Sequence, residues 1–287
     1  MFWLILSLLS AFFESVKDLF SKKSLKNIDV YTVSLSFWLF SFPIILIALL
    51  ITGIPEIKPG FWPILIVIGI IGPISHVLYM KAIGSSELSI VLPVIAFTPL
   101  FLLILSPIIV GEFPNLLGFV GVILIVFGSY VLNIKEKSKG YLRPFKMLLT
   151  EKGPRLMLIV AFIWALGANF DKIAIKNSSP IFYALCINII FIIVLSILTL
   201  LKSKNPLGIM SSNLKILVPI GFFGGLGFIT QMIAINMAYV SYVISIKRLS
   251  VIFGVLIGYF VFKEKNIKER LLGSIIMILG TLLIALS

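Results

Sequence analysis

Runs of about twenty mostly apolar residues, separated by short polar stretches, follow one another along the whole chain. A helix needs about 20 such residues to cross the hydrocarbon core of a bilayer. Ten segments qualify: residues 2–20, 31–52, 61–82, 87–109, 115–133, 155–174, 180–201, 214–236, 239–262 and 270–286. Pro73, Pro93, Pro99 and Pro107 fall inside them. In a membrane bundle, neighbouring helices and bound water satisfy the backbone groups that such prolines free. The longest connection, 134–154, is basic and too short for a folded domain; within it, Tyr141 to Leu149 reads as an amphipathic helix lying on the headgroups. The first run is apolar from Met1, has no basic leader, and meets Glu14, Lys17 and Asp18 where a cleavage site would stand. It reads as a retained helix and not as a signal peptide.

The two halves align. At an offset of 150, Ala11-Phe12 meets Ala161-Phe162, Phe20 meets Phe170, Lys22 meets Lys172 and Lys26-Asn27 meets Lys176-Asn177. At an offset of 152, Gly72 meets Gly224, Met80 meets Met232, Ala82-Ile83 meets Ala234-Ile235, Glu112 meets Glu264, Gly121 meets Gly273 and Gly128 meets Gly280. Each half holds five spans. Five is odd, so the second copy enters the membrane from the opposite side. The expected fold is therefore an all-α integral membrane protein, ten transmembrane helices arranged as two inverted five-helix repeats. Such repeats place a substrate site near the midplane, at their interface. Spans 1, 3, 4, 6, 8 and 9 are expected to line it.

Composition agrees with the pattern. Of 287 residues 60% are apolar and 12% charged, against roughly 45–50% and about 25% in soluble domains. That excess excludes a water-soluble enzyme, a disordered chain and a nucleic-acid module. The net charge of +13 would suggest nucleic acid in a soluble protein, but here it reports topology. Nineteen Lys and Arg fall on the side of the loops after spans 1, 3, 5, 7 and 9, with Lys17, Lys22 and Lys23 counted among them; three fall on the other side. The bias puts the first set in the cytoplasm and both termini outside, in a multi-pass protein of the cell membrane. A lone cysteine, Cys186, and a lone histidine, His76, exclude an intrachain disulfide and structural zinc or iron–sulfur sites by count. There is no nucleotide-binding loop, and no cofactor is implied.

The remaining signal is charge inside the spans, where an ionisable side chain costs at least ~2.5–3.5 kcal/mol to insert. Lys247 and Arg248 sit eight or nine residues into span 9, about 12–14 Å deep at the helical rise. Two adjacent cations suit an anionic group, Arg as a planar fork and Lys as a point charge; the alternative is structural pairing with acids such as Glu14 and Asp18. Glu14 lies about 20 Å along the first helix, with Lys17 and Asp18 on the same face. It is either a carboxylate that carries a proton or cation, or half of an ion pair with Lys17. His76 and Tyr79 on span 3 and Gln231 on span 8, which the repeat superposes on Tyr79, are candidates to hydrogen-bond a solute. Asn169, Asp171, Asn188 and Asn236 read as interhelical hydrogen-bonding positions, and Glu112 and Glu264 as turn residues at helix termini.

Gly111-Glu112 followed by a helix with Gly121 and Gly128, its copy Lys263-Glu264 with Gly273 and Gly280, and Trp164-Ala165-Leu166-Gly167-Ala168-Asn169 opening the second half resemble the drug/metabolite transporter superfamily, in particular its EamA-type members. The resemblance covers essentially the whole chain and implies a first repeat at 1–137, a basic interfacial linker at 138–154 and a second repeat at 155–287. Lys247-Arg248 is similar to the phosphate-binding pair on the ninth helix of plastid sugar-phosphate translocators; their further lysine would fall near Ile95, which is apolar here and favours a carboxylate. Glu14 with Lys22 resembles the membrane-embedded glutamate and its lysine in small multidrug-resistance proteins, which exchange protons for cations; the repeat places Trp164 opposite Glu14. The expected function is a secondary transporter, not an enzyme, that moves a small polar or anionic metabolite such as an amino acid or organic acid by alternating access. Its partners are a small-molecule substrate, the lipid bilayer and a candidate coupling proton, with no nucleic acid. The alternative is a proton-coupled exporter of organic cations or drugs centred on Glu14.

Overall fold

The computed structural model describes residues 1–86, 91, 94–132, 150–253 and 267–287. Every element among them is helical: α1 (Phe2–Ser24), α2 (Val30–Thr52), α3 (Phe61–Ser85), α4 (Phe97–Ile109), α5 (Leu116–Leu132), α6 (Lys152–Lys176), α7 (Pro180–Lys202), the short α8 (Pro206–Ser212), α9 (Leu214–Met237), α10 (Val240–Lys247) and α11 (Ile267–Ala285). Five of these, α2, α3, α6, α7 and α9, are long and apolar enough to cross a membrane, and α4, α5 and part of α11 are shorter apolar helices. α1 has the length, but five charged residues lie in it. The start of span 4, the end of span 9, Tyr141–Leu149 and Glu264 lie outside the described residues.

Helix boundaries follow local chemistry. Asp29 caps α2 by accepting the Tyr31 and Thr32 amides at 3.0 Å each, and Ser179 caps α7 ahead of Pro180. Both satisfy amides that a first helical turn leaves without partners. Gly53 ends α2, and Gly111 makes the turn after α4, at φ of 77° and 69°, where a side chain would be strained.

The halves interlock. The start of α2 lies against the end of α7: Thr199 donates to the Tyr31 carbonyl at 3.2 Å, and Ser203 to Asp29 at 2.5 Å. Further along, the Asn188 amide reaches the Trp38 carbonyl and Ser41 at 3.0 and 2.7 Å. α1 packs on α9, and its counterpart α6 packs on α3. α5 and α11 run antiparallel through their glycines. A Cβ on Gly121 would meet the Gly280 carbonyl at 2.7 Å, and one on Gly128 would meet the Gly273 carbonyl at 2.7 Å. Because Gly121 matches Gly273 and Gly128 matches Gly280, these are one contact seen twice, as a two-fold relation between the copies requires.

Two features depart from the expected elements. Lys17 is not in a loop: α1 continues through it to Ser24, and Lys17 is buried at 3% exposure. A lysine that reaches two carboxylates need not reach water, so it leaves the topology count. Span 9 is not one continuous helix. α10 ends at Lys247, and Arg248, Leu249 and Val251 make tighter i→i−3 bonds to Ser245, Ile246 and Arg248. The equivalent position in span 4, Ala96, is likewise a turn before α4.

Candidate functional site

A cavity of about 140 Å³ lies between the halves. α1 brings Glu14 and Lys17, α3 brings Ser75 and His76, α6 brings Trp164 and Asp171, α9 brings Gln231, the end of α10 brings Lys247, and the break after it brings Arg248. α2 and α7 also line it, through Phe37, Trp38, Ile187 and Phe191. They were not among the expected lining spans; their aromatic residues give no polar signal in the sequence. Small residues seat this wall. A Cβ on Gly72 would meet Phe191 at 2.3 Å, and one on Gly224 would meet Phe37 at 2.0 Å. Trp38 packs against Phe191 and Phe228 with ring centroids 4.1 and 5.4 Å apart.

The polar end is a chain of ion pairs. Lys17 Nζ lies 2.8 Å from Glu14 Oε1 and 3.0 Å from Asp18 Oδ1. It also lies 4.8 Å from the centre of the Tyr79 ring, a cation–π distance. Lys247 Nζ donates to Gln231 Oε1 at 2.6 Å and sits 3.3 Å from Glu14 Oε2. Glu14 therefore bridges both lysines: the ion pair with Lys17 within α1 is present, and the structural pairing of Lys247 with Glu14 is present beside it. Tyr79 differs from the expectation. It is 1% exposed, is not among the lining residues, and donates its hydroxyl to Asp18 at 2.6 Å. It holds the acid in place behind the wall and packs against Trp164 with tilted rings, centroids 4.7 Å apart.

Arg248 stands apart. It lines the cavity at 3% exposure, and its side chain makes no hydrogen bond or ion pair with any described residue. Its Nε, the indole N–H of Trp38 and Nε2 of His76 are buried polar atoms without partners. Such atoms are rare and costly in a low-dielectric interior. Here three of them belong to residues that line one cavity. Among the described residues no group of three or more His, Cys, Asp or Glu side chains could hold a metal ion.

Outside the cavity, Glu112 is more than a turn residue. Its Oε1 lies 3.0 Å from Lys172 Nζ, and its Oε2 accepts the Val240 amide, at the start of α10, at 2.7 Å. Lys172 also donates to the Ile235 and Ala238 carbonyls, at 2.6 and 2.8 Å. Its counterpart Lys22 donates to the Ile83 and Ser86 carbonyls, at 2.6 Å each. Each lysine thus closes the carbonyl end of the third expected span of its own half, α3 and α9. The match of Lys22 with Lys172 was legible in the sequence; the role as a helix cap was not.

A family model described as the EamA-like transporter family matches residues 1–134 and 152–286. A solved structure described only as "Crystal structure of protein" has a TM-score of 0.75 with this chain at 15% identity, covering 98% of this chain and 96% of that one. At that identity the likeness is one of fold. No curated protein matches the sequence.

Proposed function

We propose that this chain, which belongs to the EamA-like transporter family, is a secondary transporter that moves a small polar or anionic metabolite across the cell membrane by alternating access. On this reading the ten apolar segments all span the bilayer, as two inverted five-helix repeats with both termini on the non-cytoplasmic side. The self-matching glycine contact between α5 and α11 supports the inversion. The breaks at Ala96 and Arg248 fit the discontinuous helices that build midplane sites in such folds.

One observation supports the choice of substrate: Arg248 is a buried cation facing the cavity whose side chain has no described hydrogen-bond or ion-pair partner. The cluster of Glu14, Lys17, Asp18, Lys247 and Arg248 has three cations and two acids. Its formal excess of one positive charge is met by a carboxylate or similar anion, which the guanidinium fork binds in two places. Lys247 is engaged by Glu14 and Gln231 and steadies the anion as a second positive charge. His76 and Trp38 offer hydrogen bonds, and the aromatic wall receives the body of the solute. The exporter reading centred on Glu14 has less support, because both of that carboxylate's oxygens already face lysines.

The test is a thermal-shift screen of the purified protein against amino acids, organic acids, sugar phosphates and organic cations, repeated on Arg248→Gln. A ligand present at 100 times its Kd stabilises the fold by about 2.7 kcal/mol. Carboxylates should raise the melting temperature of the parent and not of the variant. Stabilisation by cations alone, undiminished in Arg248→Gln, would defeat the anion reading.

A further inference from the structure

Asp171 is a carboxyl of the cavity wall that the ion-pair network leaves out. It lies on α6, and its one described side-chain hydrogen bond comes from the Tyr183 hydroxyl of α7. No lysine or arginine among the described residues is within ion-pair distance of it. Glu14 and Asp18 share Lys17, Glu14 also meets Lys247, and Glu112 meets Lys172. Lys172 is Asp171's neighbour in sequence, but its amine points to Glu112 and to the end of α9. The titratable groups around Asp171 are Tyr183 and, beside it, Cys186 on α7, His76 on α3, Glu14 and Lys17 on α1, and Lys247 and Arg248. Of these, Lys247 is the cation within electrostatic reach, and it is held by Gln231 and Glu14. α4 and α9 present no titratable described side chain to the cavity.

In a low-dielectric wall, an acid without a cation is less costly as the neutral acid. We infer that Asp171 is the coupling-proton site, and that its proton and the anionic group of the solute at Arg248 bind together. The inference rests on the anion reading above, and charge balance links the two events. With Asp171 protonated, the cavity cluster carries one excess positive charge and an anion neutralises it. With Asp171 ionised, the cluster is already neutral and an anion leaves one uncompensated negative charge. Proton and anion therefore load and unload as a pair, which makes the cycle electroneutral. The proton sits on an Asp171 carboxyl oxygen, with the Tyr183 hydroxyl as its hydrogen-bonding neighbour.

Two measurements on the reconstituted full chain test this. Infrared spectra across pH should show a protonated-carboxyl stretch at neutral pH that disappears on alkalinisation, is absent in Asp171→Asn, and persists in Glu14→Gln. In Tyr183→Phe the band should shift and not vanish, because the acid remains and loses its hydrogen bond; this variant keeps the test valid if Asp171→Asn folds poorly. A band unchanged in Asp171→Asn, or no such band in the parent, overturns the site. The second measurement uses benzoate, an aromatic carboxylate, as probe, read by quenching of tryptophan fluorescence. Its affinity for the parent should fall by up to tenfold per pH unit above the transition seen in the infrared, and become independent of pH in Asp171→Asn. Benzoate affinity independent of pH in the parent overturns the coupling. Failure of a panel of carboxylates to bind at all counts against the anion reading of Arg248, while the infrared band still decides Asp171.

Discussion

Glu112 and Lys172 form a buried pair whose energetics can be worked from four distances. Glu112 lies in the hairpin after α4, in the first half, and holds both Lys172 of α6, at 3.0 Å, and the Val240 amide, at 2.7 Å, in the second. Glu112→Ala removes the acceptor of a charge-assisted hydrogen bond, worth about 1.5–3 kcal/mol. It also leaves Lys172 with two carbonyls and no counter-charge. Breaking a buried pair from one side costs about 3–5 kcal/mol in total. Glu112→Gln keeps an acceptor for Val240 and loses only the charge, so it should cost less. Lys172→Met uncaps the Ile235 and Ala238 carbonyls and leaves Glu112 still holding Val240. In the double variant Glu112→Gln/Lys172→Met no charge remains unpaired, so its loss should fall well short of the sum of the two single losses. The assay is reversible unfolding in mixed micelles with a rising fraction of denaturing detergent, read as a four-variant cycle. A loss below about 1 kcal/mol for Glu112→Ala, or single losses that simply add, would refute the pair as a joint between the halves.

Gly121→Ala should destabilise by about 1–3 kcal/mol, because the new Cβ meets the Gly280 carbonyl and Ile284 at 2.7 Å each. Gly84→Ala, whose nearest neighbour would be Leu25 at 3.9 Å, should be neutral or slightly stabilising; thermal melts of the two variants decide the point. Asp29 is outside the spans. Burial works against its charge, yet hydrogen bonds from Ser203, Thr32 and the Tyr31 and Thr32 amides outweigh it and hold its carboxyl below the usual aspartate range. Its stabilising contribution is therefore present above the ordinary aspartate value of about 3.9 and lost as pH falls through the depressed folded value. Asp29→Ala should cost about 0.5–2 kcal/mol near neutral pH, and parent and variant should converge in acid, as melts across pH will show.

Hydropathy was enough to find most of the helices. The expected spans 31–52, 61–82, 180–201 and 214–236 correspond to α2, α3, α7 and α9 within a few residues, because a bilayer-length apolar run has few other stable forms. The same signal missed the breaks at Ala96 and Arg248. Hydropathy averages over side chains and is blind to whether a carbonyl is bonded three or four residues on. It also misplaced Lys17, since charge in sequence suggests water and only the tertiary structure supplies Glu14 and Asp18 together. Glu14, His76, Gln231, Lys247 and Arg248 were legible as candidates because a charge or imidazole inside an apolar run is expensive. Asp171 was visible too, but read as ordinary hydrogen bonding. What sets it apart is the cation it lacks, and that becomes apparent once every neighbouring lysine has been placed.

The repeat distributes scaffold and chemistry differently. Scaffold positions match across the halves: Gly121 with Gly273, Gly128 with Gly280, Gly72 with Gly224, and the helix-capping Lys22 with Lys172. The charged positions of the cavity do not. The partners of Glu14, Lys17, Lys247 and Arg248 are Trp164, Gly167, Ile95 and Ala96, and that of Asp171 is Ser21. On the alternating-access cycle proposed above, this division has a physical use. When two copies exchange conformations, a matched scaffold keeps the two states close in energy, so a solute's differential binding need shift the balance only modestly. Matched charges would build a second site on the other side of the axis and divide the excess positive charge between them. On that reading, gathering the described cations of the cavity, Lys17, Lys247 and Arg248, into one cluster leaves a single place where an anion is favoured, and it is the place that both states of the proposed cycle would have to expose in turn.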